Sequence, residues 1–169
     1  MNPQEAARLA IMLGVVPLWI AAGLVDWNCH RRTAIERTSG WRENAFHWVL
    51  LAEGGVALVA TALLPPGPAL LLIVLGAFVA HELTTYVELR YTAPRREIRP
   101  FEQMVHSFME MLPLALLGLL AVLAVGEKPE PWPPAYLAGV GLAVLLLNVL
   151  PMAQESWRCL RARRDVRVG

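Results

Sequence analysis

Residues 68–88 read PALLLIVLGAFVAHELTTYVE, an apolar run from Pro68 to Ala80 that ends in His81-Glu82 and, seven residues after His81, in Glu88. A helix needs about 20 mostly apolar residues to cross the hydrocarbon core of a bilayer, and this stretch is long enough. Ionisable groups inside a span cost about 2.5–3.5 kcal/mol each on insertion scales, so those present are expected to face a cavity or one another. The stretch therefore predicts both a membrane helix and a polar interior for the bundle it joins.

Four more stretches have the same character: 6–26, 45–64, 105–125 and 135–151. The chain of 169 residues is 56% hydrophobic and 17% charged, with a mean hydropathy of +0.46, outside the balance of a soluble domain. One domain over residues 1–169 is expected: an all-α integral membrane protein, an up-down bundle of about five transmembrane helices. The first span lacks a small-residue cleavage site and is expected to be retained. Short connections, above all Pro65-Pro66-Gly67, predict that consecutive helices pack as antiparallel neighbours.

Basic residues give the orientation. Thirteen arginines follow the first and third spans or occupy the C-terminal tail, among them Arg31, Arg32, Arg95, Arg96 and Arg99; only Arg8 and Lys128 are left for the other side, the latter in a Pro-rich loop. The excess of positive charge on cytoplasmic loops predicts an N-out, C-in topology in a bacterial inner membrane. Cys29 and Cys159 then lie on the cytoplasmic side and are expected to be reduced bystanders. With a net charge of +1 and no basic face interleaved with aromatics, nucleic acid is excluded as a partner.

The polar residues form a pattern. The first span ends in Asp26-Trp-Asn-Cys-His30, the second opens Glu43-Asn-Ala-Phe-His47 and reaches Glu53, and the fourth opens Glu102-Gln-Met-Val-His106-Ser-Phe-Met-Glu110. Asp26/His30, Glu43/His47, Glu102/His106 and His106/Glu110 are each four apart, so each pair shares a helix face. Antiparallel helices bring all four histidines to the cytoplasmic end. Imidazole and carboxylate donors without thiolates suit iron, manganese or zinc. The candidate ligands are Asp26, His30, His47, Glu53, His81, Glu82, Glu88, His106 and Glu110, with Glu36, Glu43 and Glu102 as supporting partners. Arg31, Arg32, Arg95, Arg96 and Arg99 are candidates for a lipid phosphate. Glu53 fits least well, because six residues from His47 is about 120° around the helix. The fifth span carries no charge before Glu155 and is expected to pack or to form a homodimer surface outside the site.

The strings Asp26-x3-His30-Arg31-Arg32-x3-Glu36-x-Thr38-Ser39-Gly40, His81-Glu82 and Arg95-Arg96-Glu97-x2-Pro100-x-Glu102-x3-His106-Ser107-Phe108-x-Glu110 resemble an uncharacterised group of small bacterial inner-membrane proteins, over roughly residues 20–115. The resemblance implies no activity or cofactor. Membrane fatty-acid hydroxylases and desaturases are similar in ligand logic alone, since they use His-x-x-x-His boxes and this chain has none. The function expected from the residues is a di-iron oxidoreductase acting on a lipid or other hydrophobic substrate, with an unidentified electron donor. The alternatives are an intramembrane zinc hydrolase, and a b-type haem protein or a metal or proton carrier.

Overall fold

The computed structural model describes residues 2–125 and 130–168, with side chains described to residue 165; Lys128, the start of the Pro-rich loop and the side chain of Arg167 lie outside the described residues. Among the described residues five helices are long and apolar enough to cross a membrane: α1 (Pro3–Thr33), α2 (Trp41–Leu63), α3 (Pro68–Thr92), α4 (Pro100–Val125) and α5 (Pro134–Asp165). Leu13, Leu63, Leu72, Leu83 and Met111 face outward, 63–76% exposed, while acids and histidines lie inside. That inversion suits a lipid solvent.

Every helix runs past its predicted span at the end where the arginines gather: α1 to Thr33, α2 from Trp41, α3 to Thr92, α4 from Pro100 and α5 to Asp165. An apolar window stops at the first charges, but the i→i−4 ladder continues wherever those charges find partners. Prolines do not end the helices either. Pro17 and Pro151 each follow a π turn, at Ile11–Val15 and Leu145–Val149, closed by bonds from Val16 N–H to the Ile11 carbonyl and from Leu150 N–H to the Leu145 carbonyl. An interior proline crowds the carbonyl four residues back, and the wider turn carries Leu13 and Leu147 out of the way. The fifth span therefore continues beyond Pro151, where the sequence reading had ended it.

The order around the bundle also differs from expectation. The α2–α3 hairpin forms as predicted, and α4 packs on α3 and α1, but α5 packs on both α1 and α2. The linker allows this. Ala34 turns left-handed at φ 50°, Ile35–Arg37 makes a single 3-10 turn against α5, and Gly40 at φ 68° enters α2. Ile35 is fully buried and anchors the crossing. Consecutive helices α1 and α2 are thus braced by α5 along the linker, while they touch each other through side chains, His30 stacking on His47 and Trp19 lying against Gly54.

One close contact fixes α5 to α1. Asn148, inside the second π turn, donates from Nδ2 to the Ile20 carbonyl at 3.0 Å. The same Nδ2 lies 2.6 Å from where a Cβ on Gly23 would sit, so only glycine permits it. Gly23→Ala is expected to break this interhelical hydrogen bond and cost about 1 kcal/mol, seen as a lowered thermal midpoint of the detergent-solubilised protein; an unchanged midpoint would contradict the contact.

Candidate metal centre

The site is built where α1 ends, α2 and α4 begin, and α3 and α5 pass. Its framework is an ion pair from the loop before α4. Arg96 is buried, and its guanidinium lies 2.5 Å from Glu43 Oε1 and 2.6 Å from Glu102 Oε1. Burial opposes the guanidinium's charge, but hydrogen bonds and charge from Glu43 and Glu102 outweigh it and raise the Arg96 pKa above its ordinary value. Glu43 also accepts from the Ser39 hydroxyl, and Tyr91 Oη donates to the Ser39 carbonyl at 2.9 Å. Arg96 is therefore not available to a lipid phosphate, contrary to the sequence reading. A lone arginine in a basic loop carries no sequence mark of its depth.

The residue that organises the histidines is Glu155 of α5, fully buried. One oxygen lies 2.8 Å from His47 Nδ1 and 2.9 Å from Asn44 Nδ2, the other 3.3 Å from His30 Nδ1. As a carboxylate it can only accept, so both rings carry a proton on Nδ1, and in a neutral imidazole that leaves the lone pair on Nε2. The two imidazoles stack 4.2 Å apart and 6° from parallel, directing both Nε2 atoms away from Glu155 into the acidic interior. Beyond Glu155, Ser156 bonds Asn44 Oδ1 at 2.8 Å and accepts from Trp48 Nε1 at 2.8 Å. The fifth helix is thus part of the site, and its exclusion on sequence grounds is corrected: the three residues from Met152 to Gln154 separate Glu155 from the proline taken as the end of the span.

His30 Nε2 is 3.4 Å from Asp26 Oδ1 and 3.6 Å from Glu102 Oε1, and it has no hydrogen-bond partner; nor has the buried Glu102 Oε2. His106 Nε2 meets Asp26 Oδ1 at 2.9 Å. Two groups of donors converge: Asp26, His30, Glu102 and His106, and His30, Glu43 and His47, each with ligand atoms within 4.8 Å of one another. Ligand bonds of about 2.0–2.2 Å require donors at most about 4.4 Å apart, so small side-chain shifts suffice for either group. Below them a cavity of about 30 Å³ is bounded by Asp26, His47, His81, Glu88, His106 and Glu110, where roughly 10–15 Å³ holds one water.

Other candidates lie apart. Glu53 accepts from Thr84 Oγ1 at 2.8 Å and stays 3.6 Å from His81 Nδ1, too long for a hydrogen bond. Glu82 is half-buried with one unpartnered oxygen, and Glu36 pairs with Arg158 at 3.2 Å. Glu88 accepts from Thr92 Oγ1 at 2.5 Å. Arg31 lies over Trp27 and Arg95 over Tyr91, while Arg32 and Arg99 are exposed. Glu43 and Glu102, read from sequence as supporting partners, sit at the centre. Both cysteines are free thiols. Comparison with family models, curated proteins and solved structures finds no match, so the chemistry is read from this geometry.

Breaking a buried ion pair by removing one partner strands the other's charge, typically at 3–5 kcal/mol. Arg96→Met is expected to destabilise the detergent-solubilised protein by about that amount, and adding Glu43→Gln to restore part of it. A single variant as stable as the parent would contradict the assignment.

Proposed function

We propose that this chain is a membrane-embedded metalloenzyme whose cluster holds two iron ions and oxidises a hydrophobic, lipid-borne substrate. The observation that carries the reading is Glu155 binding Nδ1 of both His30 and His47. A carboxylate on the far nitrogen is how metal-ligating histidines are held in the right tautomer and made more basic.

Charge supports two ions. Among the described residues Asp26, Glu43, Glu88, Glu102 and Glu155 are buried along with one guanidinium, that of Arg96; with the histidines neutral, as ligation requires, five negative charges against one positive leave four. Two divalent cations offset that. One would take Asp26, His30, Glu102 and His106, leaving His47 with the acids around it for the second. The surplus of carboxylates favours iron or manganese over zinc alone. When bound, iron supplies the reduction of O2, with electrons from a separate donor. The chain's own residues orient the ligands and keep the site dry; the stack of His30 on His47 fixes both rings. Against haem stands the space: the cavity that His47 and His106 share is about 30 Å³, far below the size of a porphyrin.

The excess of arginine at the cluster's end supports a cytoplasmic orientation of that end, with the N-terminus outside, in a bacterial cytoplasmic membrane. Metal analysis of protein purified in detergent under reducing, anaerobic conditions tests the reading. About two irons per chain are expected, with O2-dependent absorbance changes. Glu155→Gln, which keeps the volume but weakens the clamp, is expected to lower metal affinity roughly 10–100-fold with helix content unchanged. Zinc alone would favour the hydrolase, and protein devoid of metal would overturn the proposal.

A further inference from the structure

The inner half of α5 packs on α1 and α2, but its outer half, residues 134–144, stands away from α2 and has no buried residue. The space between the two helices is a pair of apolar cavities. One, of about 100 Å³, begins at Asp26, His30, His47 and His81 and is walled farther out by Trp19 and Leu51. The other, of about 230 Å³, continues to Trp132 and Tyr136. They share Gly55, Leu58 and Val144, so they adjoin end to end along a line from the histidines to the opposite end of the bundle. The space beside Gly55 is open: a Cβ there would meet nothing within 4 Å.

The passage has a polar mark at each end. At the inner end it is the cluster. At the outer end the Tyr136 hydroxyl is buried without a hydrogen-bond partner, whereas the neighbouring polar groups are satisfied: Trp132 Nε1 donates to the Thr61 carbonyl at 2.8 Å and Thr61 Oγ1 to the Ala57 carbonyl at 2.8 Å. An orphaned phenol on an otherwise apolar wall calls for an acceptor from the occupant. Along α2 the lining runs from His47 to Ala62, roughly 22 Å at the helical rise, which matches the extended length of about 16–18 carbons.

We propose that this passage holds one unbranched acyl chain of a membrane lipid, its ester carbonyl accepting from Tyr136 Oη and its terminal carbons lying against His47 and His81. The inference rests on reading the cluster as the reaction centre for its direction, and it names the substrate class: a long linear acyl chain presented by its far end.

The test uses the full chain in phosphatidylglycerol vesicles doped with a phosphatidylglycerol whose acyl chain carries a diazirine at its terminal carbon. After illumination, peptide mass spectrometry is expected to find the label on α2 and α4 beside the cluster, around Leu50, Leu51 and Met109. Gly55→Phe fills open space, so it should fold, keep its metal and lose this label; Tyr136→Phe should weaken labelling roughly three- to tenfold, one hydrogen bond's worth. Label spread over outward side chains such as Leu72 and Leu83, and unaltered by Gly55→Phe, would overturn the proposal. Metal content is read on the same samples. Protein that labels but lacks metal removes the reaction-centre reading and leaves the chain site, and metal-loaded protein that does not label does the reverse.

Discussion

Among the described residues five carboxylates and one guanidinium are buried where five helices converge, and α1, α2, α4 and α5 are tied there by pairs whose loss would strand a charge in a medium that cannot solvate it. Glu155 of α5 is the strongest instance. It holds His30 of α1 and His47 of α2 on its two oxygens, so the position of the fifth helix, the tautomers of two imidazoles and the crossing of the 34–40 linker are set together. Arg96 does the same from the other side for α2 and α4 through Glu43 and Glu102. In water such pairs contribute little; within a bilayer they are conditions for the bundle to close.

The irregular backbone serves this arrangement. The π turn at Leu145–Val149 lets α5 pass Pro151 and deliver Glu155 to the cluster, and its Asn148 side chain reaches the α1 backbone over Gly23. The left-handed Ala34 and Gly40 turn the chain alongside α5 and place Glu43 and His47 opposite His30. These local departures from ideal geometry lie at the joints that assemble the polar interior, as π turns in helices often do.

Much of this was legible in the sequence. Hydropathy located five spans, and i, i+4 spacing named Asp26, His30, His47 and His106 as residues of one polar cluster, because helical periodicity fixes which side chains share a face. What pattern could not supply was depth and helix order. Glu155 follows an interior proline, and a rule that ends spans at proline hides it; the signal that could have found it was Asn148 and Glu155, seven apart on one face of a continued helix. Arg96 sits among other arginines and differs from them only by being folded inward. Glu53 and Glu82 stand out in the sequence as acids within spans; the 120° rotation of Glu53 from His47 is legible there, and its oxygen stays 3.6 Å from His81, while Glu82 keeps an unpartnered oxygen outside both groups of converging donors.

The central claim is that the Nε2 atoms freed by the Glu155 clamp ligate metal. Anomalous diffraction at the iron edge, from crystals of protein purified without oxygen, tests it most directly. The account predicts two peaks about 3.5–4 Å apart, one against His30, Asp26 and Glu102 and one against His47, with Nδ1 of both rings still on Glu155. Density without anomalous signal, in which those Nε2 atoms bond only carboxylates or water, would contradict it.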